Sequence, residues 1–128
     1  MKNPNKLYWI KKEIKQIEEQ IKELSVLSAV SMDGMPKGNG VSSPVERFVE
    51  RLDKLKTRLA AKREEFIAEQ EVLERFIESI QDEEIRVLAR GRFLECKSFE
   101  QIGNENFVDR TTVSKKLRNY IEGRMTNV

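Results

Sequence analysis

Histidine is absent from this chain, and cysteine occurs once, at Cys96. Without an imidazole, Ser25, Ser98 and Cys96 have no residue of the usual kind to activate them as nucleophiles. The His/Cys clusters that bind zinc cannot form either. The six glycines form no phosphate-cradling loop, and the acidic side chains fall into no paired acid–base spacing. An enzyme is therefore not expected, and neither a cofactor nor a metal is implied. A single cysteine excludes an intramolecular disulfide and fits a reducing cytoplasm. Set beside Phe93 and Leu94, it reads as a packed thiol. No apolar run approaches the ~20 residues of a membrane span, and no secretion signal is visible. These absences predict a soluble protein of the cytoplasm that meets no membrane. The formal net charge is only +2, so any nucleic-acid footprint must be local.

What the chain does have is charge and aliphatic periodicity. Charged residues make up 36% of the 128 positions, which suits long solvated helices, and the length allows one domain or one domain plus an extension. A first helix is predicted from Asn3-Pro4 to about Leu27, with Leu7, Ile10, Ile14, Ile17, Ile21 and Leu24 spaced by three and four. Tyr8 and Trp9 fall off this seam; they either widen it or anchor a partner. Residues 28–43 read as a loop, because Val30 to Ser43 hold three glycines and a proline without periodicity. A longer helix over 44–80 follows, opened by Ser43, Pro44 and Glu46 as a capping box.

The seam of that second helix is Val45, Phe48, Leu52, Leu55, Leu59, Phe66, Leu73, Phe76 and Ile80, with Lys62 and Glu69 at two core-type positions. At 1.5 Å per residue it spans roughly 55 Å, against about 35 Å for the first helix. A two-helix hairpin thus leaves apolar surface over. A second copy of the chain is the simplest cover, with Phe48, Leu52, Leu55, Leu59 and Phe66 as the oligomerisation residues. Glu64, Glu65, Glu69, Glu71, Glu74 and Glu78 read as a solvated face, the alternative being a partner-binding acidic patch. The expectation is an all-α protein with an antiparallel helical hairpin or coiled coil over residues 1–80. Its long central helix leads into a second domain over 81–128.

That second domain carries the functional signal. A helix EEIRVLARGRFLE places Ile85, Leu88, Ala89 and Phe93 inward and Arg86, Arg90 and Arg92 outward, with Gly91 marking a close contact or fraying of the last turns. A short helix opens with Ser98 and Gln101 as a capping box and directs Phe99 and Ile102 inward. Gly103 sits where the following helix must come close. Asp109 is an N-cap for that helix, Val108 and Val113 a hydrophobic staple, and Val113, Leu117 and Ile121 an apolar stripe with Tyr120 alongside. Gly123 suits the position just past its end. Arg110 to Arg124 hold five Lys or Arg against one acid, a net of +4.

A short capped helix, a tight turn and a basic amphipathic helix read as a helix-turn-helix, the alternative being a basic amphipathic helix in a small helical domain. Arg110, Thr111 and Thr112 are the candidates for base edges, with Ser114 and Lys115 beside them and Asn119 on the same outward side. Lys97, Lys116 and Arg118 would hold phosphates, and Ser98 and Gln101 would add backbone contacts.

The stretch Ile80 to Ile121 resembles the region-4 helix-turn-helix of sigma factors: an acidic opening and an arginine, an apolar helix, a serine-capped helix, then a helix with valine in its first turn. Gly103 replaces the customary alanine, and Asn106 and Phe107 replace a leucine and a turn glycine. Over nearly its full length the chain resembles the ArpU- and RinA-like late transcriptional regulators of phages and prophages. There a heptad-rich half, a loop like MPKGNGVSSPV, a long helix and a terminal helix-turn-helix occur in this order. The resemblance implies a sequence-specific DNA-binding regulator, an activator of late genes, acting on double-stranded DNA as a homodimer or higher oligomer. RNA polymerase is a further candidate partner. The alternatives are a small terminase-like assembly protein of DNA packaging and a polymerase-binding sigma-like factor.

Overall fold

The computed structural model describes residues 5–31 and 44–126, with side chains described at 5–27 and 44–123. Among the described residues every regular element is helical: α1 (Lys6–Ser31), α2 (Pro44–Glu78), α3 (Glu83–Ala89), α4 (Phe99–Asn106) and α5 (Arg110–Thr126), with a π-helical turn, Arg90–Leu94, continuing α3. None of these helices is long and apolar enough to cross a membrane. The expected start at Asn3-Pro4, the Ser43 cap and most of the expected loop fall outside the described residues. α1 runs four residues beyond its expected end, to Ser31, because no glycine or proline interrupts the chain before Gly34.

α1 and α2 form an antiparallel hairpin. The chain divides into two compact units, one of Ile10–Phe66 and one of Met1–Trp9 with Ile67–Val128. In the first unit Ile10, Ile17, Leu55 and Leu59 are buried. Lys62, which breaks the seam, reaches Glu13 on α1 at 2.6 Å and Glu65 at 3.2 Å. Hydrogen bonds to Glu13 and then Glu65 hold its pKa above the ordinary 10.5. The polar interruption is thus a cross-helix ion pair. Of the five residues expected to meet a second copy, Leu55 and Leu59 are buried within the chain itself, and Phe48, Leu52 and Phe66 are half-buried.

The second unit holds the C-terminal helices α3, α4 and α5. Glu69, the other seam-breaking residue, lies 3.7 Å from Lys6. Leu7, Leu73, Ile77 and Ile80 are fully buried here, and Phe76 meets Tyr120 of α5 edge-on with ring centroids 6.4 Å apart. The surplus length of α2, which the sequence assigns to another chain, is covered in its second half by the protein's own C-terminal helices. The buried set also drifts from the heptad. Ile77 takes the place expected of Phe76, because a straight helix turns about 20° per heptad away from a 3.5-residue seam.

The α2–α3 corner is held by polar groups. Asp82 caps α3, its carboxylate accepting from the Ile85 amide at 3.1 Å. Arg86, expected to point outward, turns back instead. Its Nε and Nη2 donate to the Ile80 carbonyl at 3.0 and 2.9 Å, satisfying an oxygen freed by the end of α2.

The end of α3 widens for a reason in its sequence. Gly91 is buried, and a Cβ there would lie 3.2 Å from the Ile102 side chain. The backbone presses close to α4, the Glu95 amide reaches back to the Arg90 carbonyl at 3.0 Å, and Cys96 leaves the helix with φ 57°. Of the two readings of Gly91, close contact and fraying, the structure gives the contact. Cys96 is half-buried rather than packed into the core.

Phe107 closes α4 in the same left-handed region, with φ 57° and ψ 41°, and is 97% exposed. A Cβ in this region costs about 1 kcal/mol, and nothing is gained here by burial. Phe107→Gly is therefore expected to raise stability by about 1 kcal/mol, read as a rise in the chemical-denaturation midpoint at unchanged slope. A lower midpoint would mean that the ring is held by something its exposure does not reveal.

Candidate nucleic-acid interface

α4 begins at a well-formed cap. Ser98 has extended backbone, and its hydroxyl oxygen accepts from the Gln101 amide at 3.1 Å. Ile102 and Gly103 turn inward and are buried. At the far end the amides of Phe107 and Val108 both donate to the Gly103 carbonyl, the second at 2.9 Å. This folds the chain back so tightly that a Cβ on Gly103 would lie 2.4 Å from the Val108 carbonyl oxygen and 3.3 Å from the Arg110 nitrogen. Only glycine fits at this position.

α5 starts from this turn, with the Val113 amide donating to the Asp109 carbonyl at 3.0 Å. It packs on α4 and α3 through Val113 and Leu117, both buried. It continues through Gly123, which the sequence places just past its end. A Cβ built on that glycine would meet nothing within 4 Å, so the position accommodates a continuing helix.

The stripe that packs inward fixes what faces outward. Thr111, Lys115 and Arg118, spaced by four and three, form one exposed face with Asn119 beside them, and Arg110 is exposed at the helix start. Thr112, Ser114 and Lys116 are half-buried along its flanks. Among the described residues no carboxylate pairs with Arg110, Lys115 or Arg118. Three cations among the described residues thus remain uncommitted on roughly two and a half turns of helix. Ser98 and Gln101 are exposed at the opposite end of the motif, on the first turn of α4.

Three of the candidate contact residues already have acidic partners. Lys116 bonds Glu84 of α3, and the Thr111 hydroxyl donates to the Asp109 carboxylate. Lys97 is held between Glu95 at 2.8 Å and Glu105 at 2.9 Å. Hydrogen bonds to Glu95 and then Glu105 raise its pKa above the ordinary 10.5. Lys97 therefore ties the α3–α4 corner to the end of α4, and a phosphate would have to compete with two carboxylates for it.

One residue with interface chemistry escapes the sequence reading. Arg92 stacks its guanidinium 4.1 Å from the centre of the Phe99 ring and donates to the Lys97 carbonyl at 3.1 Å. This places it beside the α4 cap. A seven-residue separation across an irregular corner leaves no periodic trace from which the pairing could be read.

Comparison with protein-family models, with curated proteins and with solved structures finds no match for this chain.

Proposed function

We propose that the chain is a sequence-specific DNA-binding transcription regulator of the phage and prophage type, an activator of late genes working in the bacterial cytoplasm. α5 enters the major groove, whose width admits one helix. Arg110, Thr111 and Thr112 near its start meet base edges, with Ser114, Lys115 and Asn119 adjoining. Arg118, Lys116 and Lys97 hold phosphates, and Ser98 and Gln101 set the start of α4 against the backbone.

The observation that carries this reading is the outward face of α5, where Arg110, Lys115 and Arg118 have no acidic partner among the described residues and stand beside exposed Thr111 and Asn119. A helix face kept for solvent alone gains from pairing such cations with acids at neighbouring turns. The resemblance of Ile80 to Ile121 to the sigma region-4 motif points the same way. Selection of bound duplexes from a random pool tests it. Enrichment of one short sequence supports the reading, and a pool that stays random after repeated rounds overturns it.

The regulator is further proposed to act as a homodimer or larger oligomer. Support comes from the start of α2, where Val45 and Val49 are exposed beside half-buried Phe48 and Leu52. Light scattering at micromolar concentration is expected to give at least twice the 15.0 kDa chain mass. Val49→Glu should shift the protein toward monomer with little change in melting, since a charge on an exposed position weakens only an apolar contact between copies. A parent protein that is monomeric and insensitive to dilution would contradict the assembly.

A further inference from the structure

Beside the cap of α4 lies a cavity of about 460 Å³, lined by Asn5, Tyr8, Trp9, Arg92, Cys96 and Ser98. All six residues belong to one compact unit. Its chemistry is that of a site for an anion attached to something with an apolar face. Arg92 supplies the charge: it is half-buried, and among the described residues no carboxylate pairs with it. Its plane is already fixed by the Phe99 ring and the Lys97 carbonyl, which leaves further N–H donors in a set orientation. A guanidinium ordered in advance loses little freedom on meeting a phosphate. Ser98 adds a hydroxyl, and the first-turn amides of α4 that follow it add donors that no helical carbonyl satisfies. The nearest acid before the cap, Glu95, is neutralised by Lys97 at 2.8 Å. Glu100, in the first turn of α4, is an acid that opposes an anion there.

The apolar wall is aromatic. Tyr8 and Trp9 stand edge to face with centroids 5.0 Å apart, and Trp9 is 59% exposed. Leaving the largest apolar side chain of the chain in water gains nothing for a monomer, and this surface suits the face of a sugar ring.

Resting on the DNA-binding reading above, we propose that this cavity is a backbone subsite that seats one sugar–phosphate unit of the bound duplex. The phosphate lies between Arg92 and the Ser98 end of α4, and the deoxyribose lies against Trp9. DNA is favoured over an acidic peptide by continuity. Ser98 is both a wall of the cavity and the cap of the helix whose start is assigned to the DNA backbone. The footprint then extends from the helix-turn-helix onto the beginning of α1.

Trp9 is the only tryptophan, so its emission reports on this cavity alone. The full-length protein would be titrated at low salt with a mixed-sequence DNA duplex, and Trp9 emission and its quenching by acrylamide followed to saturation. Emission is expected to change, and acrylamide access to fall. Arg92→Gln, checked for unchanged helicity, should weaken binding roughly tenfold and lower the log–log salt slope by about one. Binding of the duplex with unchanged acrylamide access at Trp9, or with parental affinity and slope for Arg92→Gln, overturns the subsite and leaves the reading of α5 standing. A parent protein that binds no duplex even at low salt overturns both.

Discussion

Gly103→Ala is expected to destabilise the protein by about 3 kcal/mol, the upper end of what an added methyl costs in a filled site. The size of the effect follows from what the methyl meets. The obstacle at 2.4 Å is the Val108 carbonyl, and the next contact, at 3.3 Å, is the Arg110 nitrogen. Both are backbone, so no side-chain rotation relieves the clash. Relief requires α5 to move away from α4, which lengthens the Val108-to-Gly103 hydrogen bond and opens the contact behind Val113. Thermal unfolding followed by circular dichroism should show a melting temperature lower by about 10 °C or more. Gly123→Ala is the internal control. Nothing lies within 4 Å of a Cβ there and the residue is helical, so this change should be neutral or stabilising by up to about 1 kcal/mol. Equal melting of the Gly103→Ala variant and the parent would show that the two helices are less closely apposed than described.

The second large effect is on binding. Arg110→Ala and Thr112→Ala should each cost about 1–3 kcal/mol on the preferred DNA site and relax preference at one base position. Lys116→Ala should weaken binding to every sequence and reduce the salt slope by about one. Part of the Lys116 effect will be muted, because that ammonium already bonds Glu84 and phosphate binding only replaces this partner. Arg110 and Lys116 are respectively exposed and partly exposed, and Thr112 is half-buried, so melting should stay close to that of the parent. Titration of labelled DNA at several salt concentrations separates the two classes. Folded variants that all bind like the parent would remove α5 as the DNA-reading element.

The parts of this architecture legible in the sequence are those written in period. Leu7, Ile10 and Ile17 recur at helical spacing and are buried, as are Leu55, Leu59, Val113 and Leu117. Local chemistry was legible too. Ser98 caps α4 because a hydroxyl three residues before an amide can reach it whatever the surrounding fold. Gly103 is required at a close approach, as its place before a turn suggested. What the sequence hid was contact between residues far apart in it. The second half of α2 looked uncovered because its cover, α5, begins more than thirty residues later, and no pattern links Phe76 to Tyr120. Glu84 and Lys116 are 32 positions apart, and their bond changes how strongly Lys116 can serve a phosphate. Arg86 reads as a surface cation in the sequence, whereas its guanidinium bonds the Ile80 carbonyl. The π-helical turn at Arg90–Leu94 arises from Gly91 pressing on Ile102, a tertiary event with only the glycine as its trace.

Whether α5 and the start of α4 meet DNA is decided by amide chemical-shift mapping of the isotope-labelled protein during titration with the duplex enriched from a random pool. The largest shifts are expected on Ser98 and Gln101 and on Arg110 through Asn119, with the buried hairpin positions Ile17, Leu55 and Leu59 unmoved. Shifts confined to the hairpin, or a spectrum unaltered by saturating DNA, would contradict it.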